Sequence, residues 1–270
     1  MSPFNQNDRF EREMIIAGNW KMHTTPSEGA ILARQVAEAV ESINGVRVVI
    51  FPPATHLLPI VNIVRETKVE VGVQNVHWET KGAYTGEISA PMAVGVGTQW
   101  AIIGHSERRK WFGETDYTVR LRAAQALASG LRPIVCIGET LAQRRAGMTF
   151  DLLRHQVEIA IAPLPLKGKN GLVIAYEPVW AIGTGVNATP DQAQEAHCFI
   201  RQTLSGIFGS VVAQGTAILY GGSVTPENAQ ELLECPDVNG ALVGGASLNP
   251  EGFAQIVRIA SQVKKQKTPV

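Results

Sequence analysis

Eight times along its 270 residues this chain repeats one unit: a short apolar run, a polar or glycine-rich junction, then a stretch with the apolar spacing of a helix. The runs fall at 14–17, 46–51, 69–73, 100–103 and 133–137, from 172 onward, and at 217–220 and 241–243. A strand whose successor is reached only through a helix pairs parallel with it, because the helix carries the chain back to the starting edge. Eight such units in this length favour an α/β fold with a closed eight-stranded parallel (β/α)8 barrel over an open sheet. No GxGxxG follows the first strand to mark a dinucleotide-binding sheet. Nothing reads as a linker, so one domain is expected over 13–265, with a polar extension at 1–12 and a tail at 266–270. Hydrophobic residues make up 45% and charged residues 18%, a balance that permits a substantial core.

Charge narrows the partners. Lysine plus arginine equals aspartate plus glutamate, 24 each, so no global field draws nucleic acid or an anionic membrane, and a charged substrate has to be recognised locally. Cys136, Cys198 and Cys235 are odd in number and widely spaced, which points to reduced thiols in a cytoplasmic protein. The histidines form no ligand pair at helical or finger spacing, so no metal is expected. The N-terminus lacks the apolar centre of a signal peptide, and no apolar run is long enough to span a bilayer.

A closed parallel barrel gathers its strand-to-helix junctions on one rim, where barrel enzymes hold their chemistry. The sixth junction, AYEPVWAIGTGVNATP at 175–190, sets Glu177 inside an apolar run. A carboxylate drawn partly out of water has its ionised form disfavoured, which moves it toward the working pH as a general base requires. The glycines behind it suit a mobile lid made of Pro178, Val179, Trp180, Ala181, Ile182, Gly183, Thr184, Gly185, Val186, Asn187 and Ala188. Taken alone, the stretch fits a buried structural glutamate before an ordinary glycine loop equally well.

The first junction offers Asn19 and Lys21, the lysine following an apolar strand directly, so that its stem can pack while the ammonium points into a cleft. The fourth offers His105, before Ser106 and Glu107 at a helix start, where N–H dipoles suppress protonation of an imidazole. Taken singly, a solvated lysine and a core histidine are the plainer readings. The seventh and eighth junctions, with Ser223 after two glycines and Gly244 and Gly245 before Ala246, make a nest of N–H donors suited to a phosphate, with Gly183 as a further donor. A base, a neutral polariser, a cation and an anion nest suit cofactor-free proton abstraction beside the carbonyl of a small phosphorylated compound.

Five segments in this order, GNWKM at 18–22, IIGHSERR at 102–109, AYEPVWAIGTG at 175–185, YGGSV at 220–224 and LVGGASL at 242–248, resemble the triosephosphate isomerases. The resemblance runs from about 14 to 264 and implies a TIM barrel that interconverts dihydroxyacetone phosphate and D-glyceraldehyde 3-phosphate in glycolysis and gluconeogenesis. It implies that Glu177 shuttles the proton, neutral His105 polarises the carbonyl, and Lys21 and Asn19 bind substrate, with Glu107 behind them. The N–H groups of Gly183, Ser223 and Gly245, with Gly244 beside it, would hold the phosphate. Ile182 and Leu242 would close over the base. It further implies a homodimer whose long third loop, 74–89, carries Thr85 to the partner's Asn19 and the partner's His105, with Glu87 and Arg108 placed to pair across the interface. Val186, Asn187 and Ala188 depart from the family's commoner Lys-Thr-Ala hinge. Another phosphosugar isomerase on this barrel would not need Lys21, His105 and Glu177 together, and an inactive scaffold would have lost at least one of them.

Overall fold

The computed structural model describes residues 12–166, 171–182 and 187–267. Its strands are β1 (Ile15–Asn19), β2 (Arg47–Phe51), β3 (Val69–Val73), β4 (Trp100–Ile103), β5 (Arg132–Ile137), β6 (Val173–Tyr176), β7 (Ala217–Tyr220) and β8 (Gly240–Val243). They pair parallel in chain order, and β1 closes the ring: Ile15 faces Arg47 of β2 on one side and Gly240 of β8 on the other. The closed parallel barrel is therefore the one the strand–helix alternation predicts.

Alternation along the strands sorts side chains into two cores. Ile15, Ala17, Phe51, Trp100, Cys136, Ala175, Leu219 and Leu242 belong to a cluster made of strand residues alone, which is the filled barrel interior. Their neighbours Ile16, Val48, Ile50, Val135, Ile174 and Ile218 join a larger cluster with the helices outside. Advancing the inward register by two residues leads from Ala17 to Asn19, from Ala175 to Glu177, from Leu242 to Gly244, from Cys136 to Gly138 and from Leu219 to Gly221. The rim of the barrel is thus a continuation of its own core.

Thr25 caps the helix Pro26–Val40 in a reciprocal box with Glu28, as the sequence predicts, and Thr189 does the same with Gln192 for Pro190–Phe208. β2, β5 and β8 each begin one residue away from the expected start, and two larger differences bear on this rim. β1 runs on to Asn19, which pairs with Phe51 of β2, rather than stopping at 17. The helix expected at Thr225 and Pro226 begins instead at Ala229. Asn228 diverts the turn: its Oδ1 accepts the Thr225 N–H at 2.9 Å and its amide donates to the Ser223 carbonyl at 3.1 Å.

The opposite rim is closed by charge pairs. Glu13 sits between Arg47 and Arg132, at 2.9 and 2.6 Å. Arg12, expected in the extension, donates to the Pro236 carbonyl at 3.1 Å and reaches Asp237 at 3.4 Å. The last helix, Pro250–Lys267, runs past the expected barrel end at 265, and Lys267 donates to the Cys235 carbonyl at 2.6 Å.

His197, on Pro190–Phe208, is fully enclosed, with Nδ1 3.4 Å from the Asp237 carbonyl oxygen. Burial first, and the nearby Arg201 charge after it, push its pKa down to about 3. The unfolded chain takes up this proton near 6.5 and the folded chain only near 3, so its contribution to stability is complete above 6.5 and is lost as the pH falls through that window. His197→Gln is expected to remove about 2–3 kcal/mol of the stability lost between neutral pH and about pH 4.5. Urea unfolding at the two pH values reads the difference, and parallel slopes in both proteins would refute it.

Candidate active site

At the C-terminal ends of the strands lies a cavity of about 270 Å³, lined by Asn19, Lys21, His105 and Glu177, by the turns at Ser223, Gly244 and Gly245, and by Ile182 and Leu242. Its size suits a ligand of few heavy atoms. Of the expected lid, Pro178 to Ile182 lead away from the base, with a single tight turn at Val179–Ala181, and Asn187 and Ala188 lead back to the Thr189 cap. Gly183, Thr184, Gly185 and Val186 lie outside the described residues.

Glu177 is 2% exposed, yet both its oxygens are engaged. Oε2 accepts the backbone N–H of Ser106 at 2.8 Å, and Oε1 lies 3.0 Å from Nε2 of His105. A carboxylate this deep needs such donors, because an unpaired buried charge is costly. His105 caps the helix Ser106–Phe112, and its Nδ1 accepts the Glu107 N–H at 3.2 Å. An Nδ1 that accepts carries no proton, so the neutral ring holds its hydrogen on Nε2 and aims it at Glu177 and the cavity. The site therefore contains one proton donor and one acceptor in contact.

Lys21 follows β1 with φ 52°, a left-handed conformation uncommon outside glycine. Conformations of this kind persist only where the surroundings impose them. Asn19 Oδ1 accepts the Lys21 N–H at 3.0 Å, and the Gln74 amide donates to the carbonyls of Lys21 at 2.7 Å and Phe51 at 2.8 Å. The ammonium meets Glu107 Oε1 at 2.6 Å. Burial works against ionisation of Glu107, but the Lys21 hydrogen bond and the charges around it hold its carboxyl below the ordinary range. Lys21 is thus a fixed cation at the mouth of the cavity.

Several contributors escaped the sequence reading. Gln74 and the Ser106 N–H are two; neither carries a signal in isolation. Glu139, fully buried, is a third: Tyr176 O–H donates to it at 3.1 Å, Trp180 Nε1–H at 2.9 Å and Arg144 at 3.1 Å, which ties the first residues of the lid to β5. Gly138 is another, and Gly221, expected only as part of the anion nest, also abuts the base. A Cβ on Gly138 would stand 1.8 Å from the Glu177 carbonyl oxygen, and one on Gly221 2.8 Å from Glu177 Cγ. The period-two register of the inward face could have found both glycines, since each lies two residues beyond a core position.

The long third loop folds back on itself through the His77 N–H to the Ile88 carbonyl at 2.8 Å, leaving Thr85 exposed at its tip. Within the chain Glu87 lies 3.5 Å from Arg122, and Arg108 pairs with Glu114 at 2.5 Å. Among the described residues no three His, Cys, Asp or Glu side chains gather as metal ligands would, and no helix is long and apolar enough to cross a membrane.

A family model described as triosephosphate isomerase matches residues 14–260. The triosephosphate isomerase of Moorella thermoacetica is 49% identical over 246 residues, covering 91% of this chain and 98% of that protein. That of Carboxydothermus hydrogenoformans is 46% identical over 247 residues, covering 92% and 98%. Among solved structures, triosephosphate isomerase from Bartonella henselae superposes with a TM-score of 0.84 at 38% identity, over 92% of this chain and 98% of that one.

Proposed function

This chain belongs to the triosephosphate isomerase family, and from that premise we propose that Glu177, His105 and Lys21 are the groups with which it moves the proton. The reaction is the glycolytic interconversion of dihydroxyacetone phosphate and D-glyceraldehyde 3-phosphate. One observation carries the assignment: a carboxylate and an imidazole Nε2–H meet at 3.0 Å on a small cavity that Lys21 also lines.

With substrate bound, the carbonyl oxygen takes over the Nε2–H of His105 and faces the Lys21 ammonium, while Glu177 turns from the Ser106 N–H toward carbon 1. The carboxylate removes that carbon's proton, and the electron pair moves into an enediolate whose charge Lys21 offsets. His105 passes its proton to one enediolate oxygen and recovers one from the other, and protonated Glu177 returns its proton at carbon 2. Asn19 keeps the Lys21 backbone in register, and the turns at Ser223, Gly244 and Gly245, with Gly183 of the lid, hold the phosphate. Pro178 to Ala188 close over the site, with Ile182 and Leu242 excluding water from the enediolate, which would otherwise expel its phosphate. Run in D2O, the reaction should yield glyceraldehyde 3-phosphate with deuterium at carbon 2 in the fraction of turnovers in which the proton on Glu177 exchanges with solvent before its return; complete retention of the substrate's own hydrogen would remove the exchangeable acid from the proposal.

The same reading includes a homodimer in the cytoplasm, in which Thr85 of the third loop approaches the neighbouring site. Exposed apolar side chains around the third loop support an interface there: Phe112, 67% exposed, lines one surface cavity with Thr85, and Tyr84, next to Thr85 in the loop, is 43% exposed. Light scattering should give the mass of two chains. A single-chain mass at micromolar concentration would remove the dimer from the proposal.

A further inference from the structure

Arg109 closes the IIGHSERR segment but does not line the cavity. Its guanidinium nevertheless makes three directed donations to three elements: Nε to the Gly104 carbonyl at 2.8 Å, Nη1 to Asp116 Oδ1 at 2.6 Å and Nη2 to the Cys136 carbonyl at 3.0 Å. We infer that Arg109 is a positioning residue for the His105 imidazole, setting its separation from the Glu177 carboxylate by tying the end of β4 to the end of β5.

The reason lies in what each acceptor adjoins. The Gly104 carbonyl shares a rigid peptide plane with the His105 N–H, so holding that oxygen fixes the plane from which His105 departs. Gly104 itself is left-handed, φ 71°, with a would-be Cβ 2.6 Å from Val119, so only glycine fits and the joint is intrinsically loose. On its other side His105 is held by its helix, whose Glu107 N–H meets the ring at 3.2 Å and whose Arg108 N–H meets the His105 carbonyl at 2.8 Å. Arg109 supplies the anchor at the loose joint. Its third donation reaches Cys136, the residue before Ile137, whose carbonyl accepts the Glu177 N–H at 2.7 Å. One planar fork therefore spans the backbone that seats the acid and the backbone that seats the base. Asp116 neutralises the guanidinium locally, so Arg109 acts through geometry, and a lysine, with one ammonium, cannot reproduce the fork.

The inference rests on His105 acting as the polarising acid, and the experiment separates the two. Arg109→Ala, Arg109→Lys, Asp116→Asn, His105→Gln and the Arg109→Lys/His105→Gln double variant are assayed in both directions. The Arg109 variants should lose about 10- to 100-fold in kcat with KM little changed, since the phosphate turns are untouched. Asp116→Asn should show a smaller loss of the same kind. Added guanidinium should restore part of the kcat of Arg109→Ala and none of Arg109→Lys, a response that a purely structural role would not give. In the double variant the losses should not add, because the arginine works through the imidazole. Should Arg109→Ala not fold, the lysine variant, Asp116→Asn and the double variant decide. Wild-type kcat in Arg109→Lys, or additive losses in the double variant, overturn the inference. Wild-type kcat in His105→Gln overturns the reading beneath it instead.

Discussion

Glu177→Gln lowers kcat by about 10²- to 10⁴-fold while KM stays near its starting value, in a coupled assay that starts from glyceraldehyde 3-phosphate. Glutamine keeps the size of the side chain, and its amide oxygen can still accept from the Ser106 N–H, which Glu177 does now at 2.8 Å. The amide nitrogen then faces the His105 Nε2–H, a local cost at the imidazole, while the turns at Ser223, Gly244 and Gly245 should be indifferent to the change. What disappears is the only group at the cavity that can take a carbon-bound proton beside the neutral imidazole: in the described site Lys21 is paired with Glu107, and His105 presents a hydrogen rather than a lone pair. Glu177→Asp tests reach, since one methylene fewer withdraws the carboxylate without removing it, and a displacement of this order is enough to cost a large factor. A glutamine variant retaining more than about a tenth of the parent kcat would locate the base elsewhere.

The second large effect concerns a residue that never touches substrate. Gly138→Ala should destabilise the protein by roughly 3 kcal/mol or more, or abolish soluble expression. A Cβ there would lie 1.8 Å from the carbonyl oxygen and 2.6 Å from the carbonyl carbon of Glu177, and backbone atoms cannot rotate away as a side-chain tip can. Relief requires β5 and the end of β6 to part, which carries Glu177 out of reach of His105, so any folded fraction should also lose kcat. Gly147→Ala is the control: that glycine is left-handed at φ 72°, with nothing within 4 Å of its would-be Cβ, and should cost only about 1–2 kcal/mol. Urea midpoints of the two variants make the comparison. Equal, small shifts would mean that the contact at Gly138 relaxes easily and does not brace the base.

The legibility of this chain differs between its parts for physical reasons. β3, β4 and β7 could be bounded to the residue because an apolar run bordered by glycine or polar residues is a local signal. The helix after Thr225 was misjudged because Thr-Pro is a good cap only if the next turn is free to wind, and here Asn228 engages the backbone at 223 and 225. Glu177 announced itself as a charge in an apolar run. Glu139 did not, although it is the more deeply buried, because its partners Tyr176, Trp180 and Arg144 are supplied by another strand, the lid and a helix.

Sequence alone determined the repeating unit, hence parallel pairing and the gathering of junctions on one rim, since periodicity and chain reversal are set by residues near one another. The candidate chemical groups were likewise written in the junctions. The tertiary structure decided which groups touch: the meeting of His105 Nε2 with Glu177, the donors that sustain that buried carboxylate, the Gln74 clamp on a left-handed Lys21 and the span of Arg109 from β4 to β5. These are contacts between residues 27 to 86 positions apart, and their distances of about 3 Å follow from barrel closure and side-chain packing, to which no local pattern in the chain is sensitive.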